Sequence, residues 1–170
     1  MNSLLGKGFA YEIEVIKRGI VVDRFEVLNK LPTVSIDHIV GMILGNGAMP
    51  ISEWYMGLFE ADYVPTDATT AADLPLNAQE CTAYSQTTRP LWQGEWDPVT
   101  GFITNTDNRA EFTFTQDKTV RGGFLISDPT KGGNTGLVRS ITRFSSPQSV
   151  AAGVTWRVGS RIRILDVPII

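Results

Sequence analysis

Chemistry at neutral pH needs a nucleophile, a proton carrier or a set of metal ligands, and this chain holds few of them. It has one cysteine, Cys81, and one histidine, His38. A Ser-His-Asp or Cys-His arrangement requires its histidine beside the nucleophile, and metal sites usually recruit several His or Cys. Cys81 has no basic neighbour in sequence to depress its pKa, so it reads as a buried, inert thiol. A single thiol also excludes an intrachain disulfide framework and fits synthesis in a reducing cytoplasm. Glu95 and Asp97 stand beside Trp92 and Trp96. Two carboxylates at a set distance can hydrolyse a glycosidic bond, although no feature of the sequence fixes that distance. The tryptophans are candidate glycan contacts if exposed, and core or turn packing is their commoner use. The run Lys131-Gly132-Gly133-Asn134-Thr135-Gly136 offers backbone N–H groups in the manner of a phosphate loop. It lacks the closing Lys-Ser or Lys-Thr and is followed by a strand pattern, so it reads as a hairpin loop.

Charge narrows the classes further. Only 19% of the 170 residues are charged, against about 25% in a typical soluble domain. The net charge of −3 and a pI near 5.1 argue against nucleic-acid binding, which needs a basic excess. No apolar run approaches the ~20 residues that span a bilayer. Residues 1–8 lack the apolar stretch of a secretory signal, so export by that route is not expected. The charges are unevenly distributed: residues 1–107 carry a balance of −8 and residues 108–170 one of +5. Either the two segments present opposite faces that meet in a neighbouring subunit, or they interleave in one sheet and cancel. Arg157, Arg161 and Arg163 would share one face of an unbroken final strand. They fit acidic groups of a neighbour or an ordinary solvated face.

Most of the elements that position these residues read as strands. Residues 10–28 alternate as a β-hairpin about Lys17-Arg18-Gly19. Residues 35–45 form the one convincing helix, with Ser35 as N-cap and Ile36, Ile39, Val40, Ile43 and Leu44 on one buried stripe. His38 falls off that stripe and reads as a solvated or interface side chain. Residues 54–60 form an apolar strand, and 61–79 a long loop of the kind that is often functional. Thr82–Ser85 reads as an edge strand broken by Arg89-Pro90. Ala110–Thr115 is an alternating strand with Phe112 and Phe114 on one face, and Gly122–Ser127 a central one. Leu137–Phe144, ended by Pro147, and Thr155–Leu165 supply the last strands. Turn signals every 8–12 residues predict a mainly β chain: a β-sandwich, jelly-roll-like, over residues 51–170. A hairpin-helix anchoring element over residues 1–50 precedes it, since neither piece can bury its apolar face alone.

In their order along the chain, several segments resemble a family of small structural proteins of tailed bacteriophages. They are Trp54–Glu60 (WYMGLFE), the Thr/Ala/Asp loop after it, Glu80–Tyr84 (ECTAY), Arg89-Pro90, the pair AEFTF and GGFLIS, Thr130–Gly136 (TKGGNTG) and a closing V-x-x-G from Val150. The hairpin, Leu28–Leu31 and the helix ending in LGNG look like the N-terminal part of some relatives. Val154 departs from the polar residue that follows the glycine in the pattern. The resemblance implies a non-enzymatic virion component without a cofactor, made in the host bacterial cytoplasm. It implies a capsid decoration or cement protein, a homotrimer contacting the major capsid protein and neither nucleic acid nor membrane. Its interface would be carried by Ile36, Ile39 and Ile43 with Arg157, Arg161 and Arg163. A tail- or fibre-associated protein that binds host-surface glycans through Trp92 and Trp96 is the alternative.

Overall fold

The computed structural model describes residues 9–28, 30–99 and 101–162. The chain is mainly β, with two antiparallel sheets stacked as a β-sandwich. Strands β1 (Phe9–Lys17) and β2 (Ile20–Leu28) form the N-terminal hairpin. Its two loop residues, Arg18 and Gly19, both have positive φ (51° and 78°), the twist that matches a tight antiparallel hairpin. The larger sheet runs β2, β1, β10 (Thr155–Ile162), β6 (Phe102–Thr104), β5 (Glu95–Asp97), with β7 (Ala110–Thr113) also beside β10. The smaller sheet runs β4 (Leu91–Trp92), β3 (Trp54–Phe59), β8 (Lys118–Ile126), β9 (Val138–Val150).

Alternation places the core. Tyr11 and Ile13 of β1, Phe112 of β7 and Trp156 and Val158 of β10 meet Met56 and Leu58 of β3 and Leu125 of β8 between the sheets. The hairpin is therefore built into the larger sheet, with β2 at its edge and β1 inside it: β1 pairs with β10 from Phe9 opposite Ile162 to Ile16 opposite Thr155. One core joins residues on both sides of position 50.

The smaller sheet is buried on its other face as well, and this corrects the reading of residues 61–79. That segment is a cover with its own short helix, α2 (Asp73–Leu76). Ala71, Leu74 and Ala78 pack with Phe59, Phe124, Ile126, Val138 and Ile141. Burial on both faces explains why β3 and the second half of β8 are continuously apolar. Two further readings change. Thr82–Ser85 forms no strand; the segment touches its neighbours through single bridges, Glu80 to Phe59 and Tyr84 to Phe114. Pro147 does not end its strand: β9 continues to Val150, and the register slips between Arg143 opposite Gly122 and Gln148 opposite Val120. A proline fits there because a bulge has no ladder bond to lose. Arg163 to Leu165 of the last expected strand lie outside the described residues.

The helix α1 (Thr33–Ile43) forms with the opposite orientation to the one expected. Ser35 and Gly41 are its buried residues; Ser35 is no cap, and Pro32 begins the helix without a side-chain cap. Small residues let α1 approach closely: a Cβ on Gly41 would lie 2.9 Å from that of Ala48. His38 is half-buried on this inner side rather than solvated. Its Nδ1 accepts from Arg139 Nη2 at 3.3 Å and its Nε2 donates to the Met49 carbonyl at 2.9 Å. Arg139 is buried on β9 over the Trp54 ring, 4.3 Å from its centroid, and burial pushes its pKa down to about 10. Satisfying that cation takes the polar face of α1, so the apolar stripe is left outside.

Two glycines in the smaller sheet are filled from across the strands. The Phe124 ring lies over Gly57, its cross-strand partner, and the Phe59 ring over Gly122, its own partner. A Cβ on Gly122 would stand 2.1 Å from Phe59 Cζ and 2.2 Å from the Thr142 carbonyl oxygen of the next strand. We expect Gly122→Ala to destabilise the chain by about 1–3 kcal/mol, the usual cost of overpacking, read as a lower denaturation midpoint at unchanged m-value.

Candidate functional site

Three of the motifs singled out in the sequence, Glu80–Tyr84, Arg89-Pro90 and Thr130–Gly136, meet at one buried ion pair. The side chains of Arg89 and Glu80 are 0% and 1% exposed. Arg89 Nε donates to Glu80 Oε1 at 2.9 Å and Nη2 to Oε2 at 2.6 Å, the bidentate fork that suits guanidinium and carboxylate. Two of the three remaining protons are used: Nη1 donates to the Asp128 carbonyl at 2.9 Å and Nη2 to the Gly133 carbonyl at 2.8 Å. Gly132 N–H donates to Glu80 Oε2 at 3.1 Å. The glycine-rich loop thus turns a backbone donor toward an anion, and that anion is the chain's own carboxylate. Lys131 Nζ donates to the carbonyls of Tyr84 and Gln86 at 2.8 and 2.7 Å and lies 4.0 Å over the Tyr84 ring. Burial raises the Asp128 carboxyl, but hydrogen bonds from Thr135 and Thr130, with the charge of Arg89, outweigh it and hold the group below its usual range. Sequence reasoning found these motifs without the pairing. The one available signal was an arginine set in a short stretch otherwise free of charge.

The apolar stripe of α1 is left uncovered. Ile36 and Val40 are exposed, and Ile43 and Leu44 are 71% and 75% exposed, with Met49 beside them. Ile39 is half-buried. The candidate interface residues Ile36 and Ile43 are therefore on the surface, as an interface requires, and not on a buried face of this subunit.

The arginines of β10 share the outer face of the larger sheet. Arg157 donates to Glu111 at 2.9 Å and Arg161 to both oxygens of Glu26 at 2.7 and 2.6 Å. Arg163 lies outside the described residues. Beside them Arg109 reaches Glu12 at 3.2 Å and Glu14 at 3.8 Å; at the smaller sheet Lys118 reaches Glu60 at 3.0 Å, and Arg143 pairs with Asp62. The acidic first part and basic last part of the chain thus interleave, because β10 is threaded next to β1.

The two candidate tryptophans are separated. Trp92 is half-buried against the core, with its indole over Gly94 and its buried Nε1 without a hydrogen-bond partner. Trp96 is 63% exposed. It lines a cleft of about 380 Å³ with Gln93, Glu95, Asp97, Asn105, Asp107 and Asn108. Glu95 accepts a 3.3 Å hydrogen bond from Asn108, and Asp97 accepts from the Val99 N–H at 2.9 Å within the turn. Among the described residues no group of three or more His, Cys, Asp or Glu is placed to hold a metal ion, and no helix is long and apolar enough to cross a membrane.

Cys81 is fully buried, and burial pushes its thiol up to about 12. At pH 8 only about one molecule in ten thousand would carry the thiolate. A thiol reagent should label the native chain on the order of a thousandfold more slowly than the urea-unfolded chain. For the ion pair, Arg89→Met leaves the Glu80 carboxylate buried without its counter-charge. A loss of about 3–5 kcal/mol is expected in chemical denaturation, with the double change Arg89→Met, Glu80→Leu recovering part of it. Among known proteins, no family model and no curated protein matches the chain.

Proposed function

We propose that this chain is a non-enzymatic structural subunit of a tailed-bacteriophage virion. The role we assign is that of a capsid decoration protein, which stabilises the shell through contacts with its own copies and with the major capsid protein. The observation that carries this reading is the outward apolar stripe of α1, Ile36, Val40, Ile43 and Leu44. A row of exposed apolar side chains along one helix face marks a surface that meets protein. The convergence of Glu80–Tyr84, Arg89 and Thr130–Gly136 on one ion pair lends weight to the resemblance, since motifs scattered along the chain serve a single structural device. Each copy would bury a modest interface, and many copies acting together would raise resistance to internal pressure. A tail- or fibre-associated role is the competing reading. Trp96 favours a glycan contact there, exposed as it is at a cleft that carboxylates and amides also line.

Counting the chain in purified particles by quantitative mass spectrometry decides between locations. On the order of hundreds of copies per virion fit a decorated shell, whereas about three to twelve would place it in the tail. Ile43→Asp with Leu44→Asp changes exposed positions only. It should leave the denaturation midpoint unchanged while lowering incorporation into particles at least tenfold, and normal incorporation would remove α1 from the interface.

A further inference from the structure

Cross-strand pairing consumes most of the charge on the larger sheet, and apart from Asp23 of β2, whose carboxylate accepts from the Arg24 N–H, the remainder stands towards its two ends. At one end β1 finishes at Lys17 and turns through Arg18. Lys17 and Arg121 line an open cleft of about 720 Å³ with Lys118, Asp117 and Glu60. Lys118 is held by Glu60, and the Asp117 carboxylate accepts from the Ala152 N–H. Among the described residues neither Lys17, Arg18 nor Arg121 has an ion-pair partner. The opposite end of β1, where Phe9 pairs with Ile162, leads through β10 to β6 and β5. There the 380 Å³ cleft holds Glu95, Asp97 and Asp107 and no basic residue. The two ends are about 27 Å apart along the nine residues of β1.

The acidic end also carries an apolar anchor. Thr104 lies opposite both Arg161 and Glu95, on the outer face, so its neighbours Ile103 and Trp96 point to the core side of the sheet. The smaller sheet does not reach them: Trp96 is 63% exposed, and Val99 in the adjoining turn is 92% exposed. An uncovered tryptophan at the end of the sheet that also carries Glu95 and Asp97, on the opposite face of β5 from them, has the composition of an interface anchor. The basic cleft, with Val150 and Ala151 in its wall, has the complementary charge.

We infer that copies of this chain associate head to tail, the acidic end with Trp96 entering the basic cleft of the next copy. This contact rests on the reading that the chain works as an assembled subunit and names the partner of these two ends as a second copy. It is heterologous, so it closes into a ring or continues as a filament according to the rotation between copies. Charge complementarity sets register and direction, and the tryptophan supplies the desolvated contact.

The test uses the full chain in solution, by sedimentation velocity, with two paired variants. Lys17→Glu with Arg121→Glu makes both ends acidic; Glu95→Lys with Asp107→Lys makes both ends basic. Asp97 is spared because it holds the Val99 turn. The wild-type chain should self-associate at low salt and dissociate as salt rises to about 0.5 M, where exposed charges are screened. Each variant alone should lose at least tenfold in association, and an equimolar mixture of the two should regain it, which also shows that both are folded. Trp96→Ala should weaken the wild-type contact to a similar degree. A wild-type chain that stays monomeric at about 100 μM in low salt overturns the proposal. So does an assembly indifferent to both reversals, or a mixture that fails to recover, leaving the acidic cleft to a different cation-bearing partner and Trp96 to a glycan. None of these outcomes bears on incorporation through α1, which is read in particles.

Discussion

The fold is organised around one buried charge pair. A guanidinium and a carboxylate removed from water are costly unless nearly every donor and acceptor is used, and Arg89 and Glu80 meet that condition only when two loops are both in place. Residues 80–90 supply the pair, and residues 128–133 supply the Asp128 and Gly133 carbonyls and the Gly132 N–H. Neither loop can shift alone without leaving a buried charge short of partners. The consequence spreads into the smaller sheet. Cys81 N–H donates to the Leu58 carbonyl on one side of the knot, and Met56 N–H donates to the Pro90 carbonyl on the other. The short strand β4 starts immediately after Pro90. The edge of the sheet is thus set by a side-chain pair rather than by a long ladder, and this is why residues 82–85 need no strand of their own.

What the sequence made legible follows from period. Strands β1, β2, β3 and β7 appear where alternation or an apolar run put them, and Phe112 and Phe114 are both buried as their spacing requires. Period alone states that a face is apolar, without stating what covers it. Helix α1 is the clear case: the stripe of Ile36, Val40, Ile43 and Leu44 is real and points outward. The deciding residue is Arg139, about a hundred positions later, whose buried cation donates to His38 on the side of α1 away from the stripe. The Arg89–Glu80 knot was equally illegible, because its members are joined by bonds between loops, which have no period. The segment 61–79 reads as a loop because of its two prolines and its clustered Asp, Thr and Ala, yet Leu74 with Ala71 and Ala78 suffices to seal the outer face of the smaller sheet.

Charge shows the same limit from another side. The imbalance of −8 and +5 along the chain is a property of sequence order, and the topology largely removes it. Placing β10 against β1 sets Arg161 against Glu26 and brings Arg109 to Glu12 and Glu14. The exposed pairs, Arg161 with Glu26 and Arg157 with Glu111, are worth only ~0–1 kcal/mol each, so their contribution to stability is minor, whereas Arg109 and Glu14 meet largely out of water. Their larger effect is on the surface that remains. Pairing across the middle of the sheet leaves charge at its ends, basic at the Lys17 turn and acidic in the cleft at the β5–β6 hairpin. A sheet that cancels its charge laterally keeps it axially. The uncovered apolar stripe of α1, by contrast, carries no directional information: it can supply area to an interface but not polarity. A subunit with both features has separate means for holding a neighbour and for orienting it, and the second could be read only after the strands had been placed side by side.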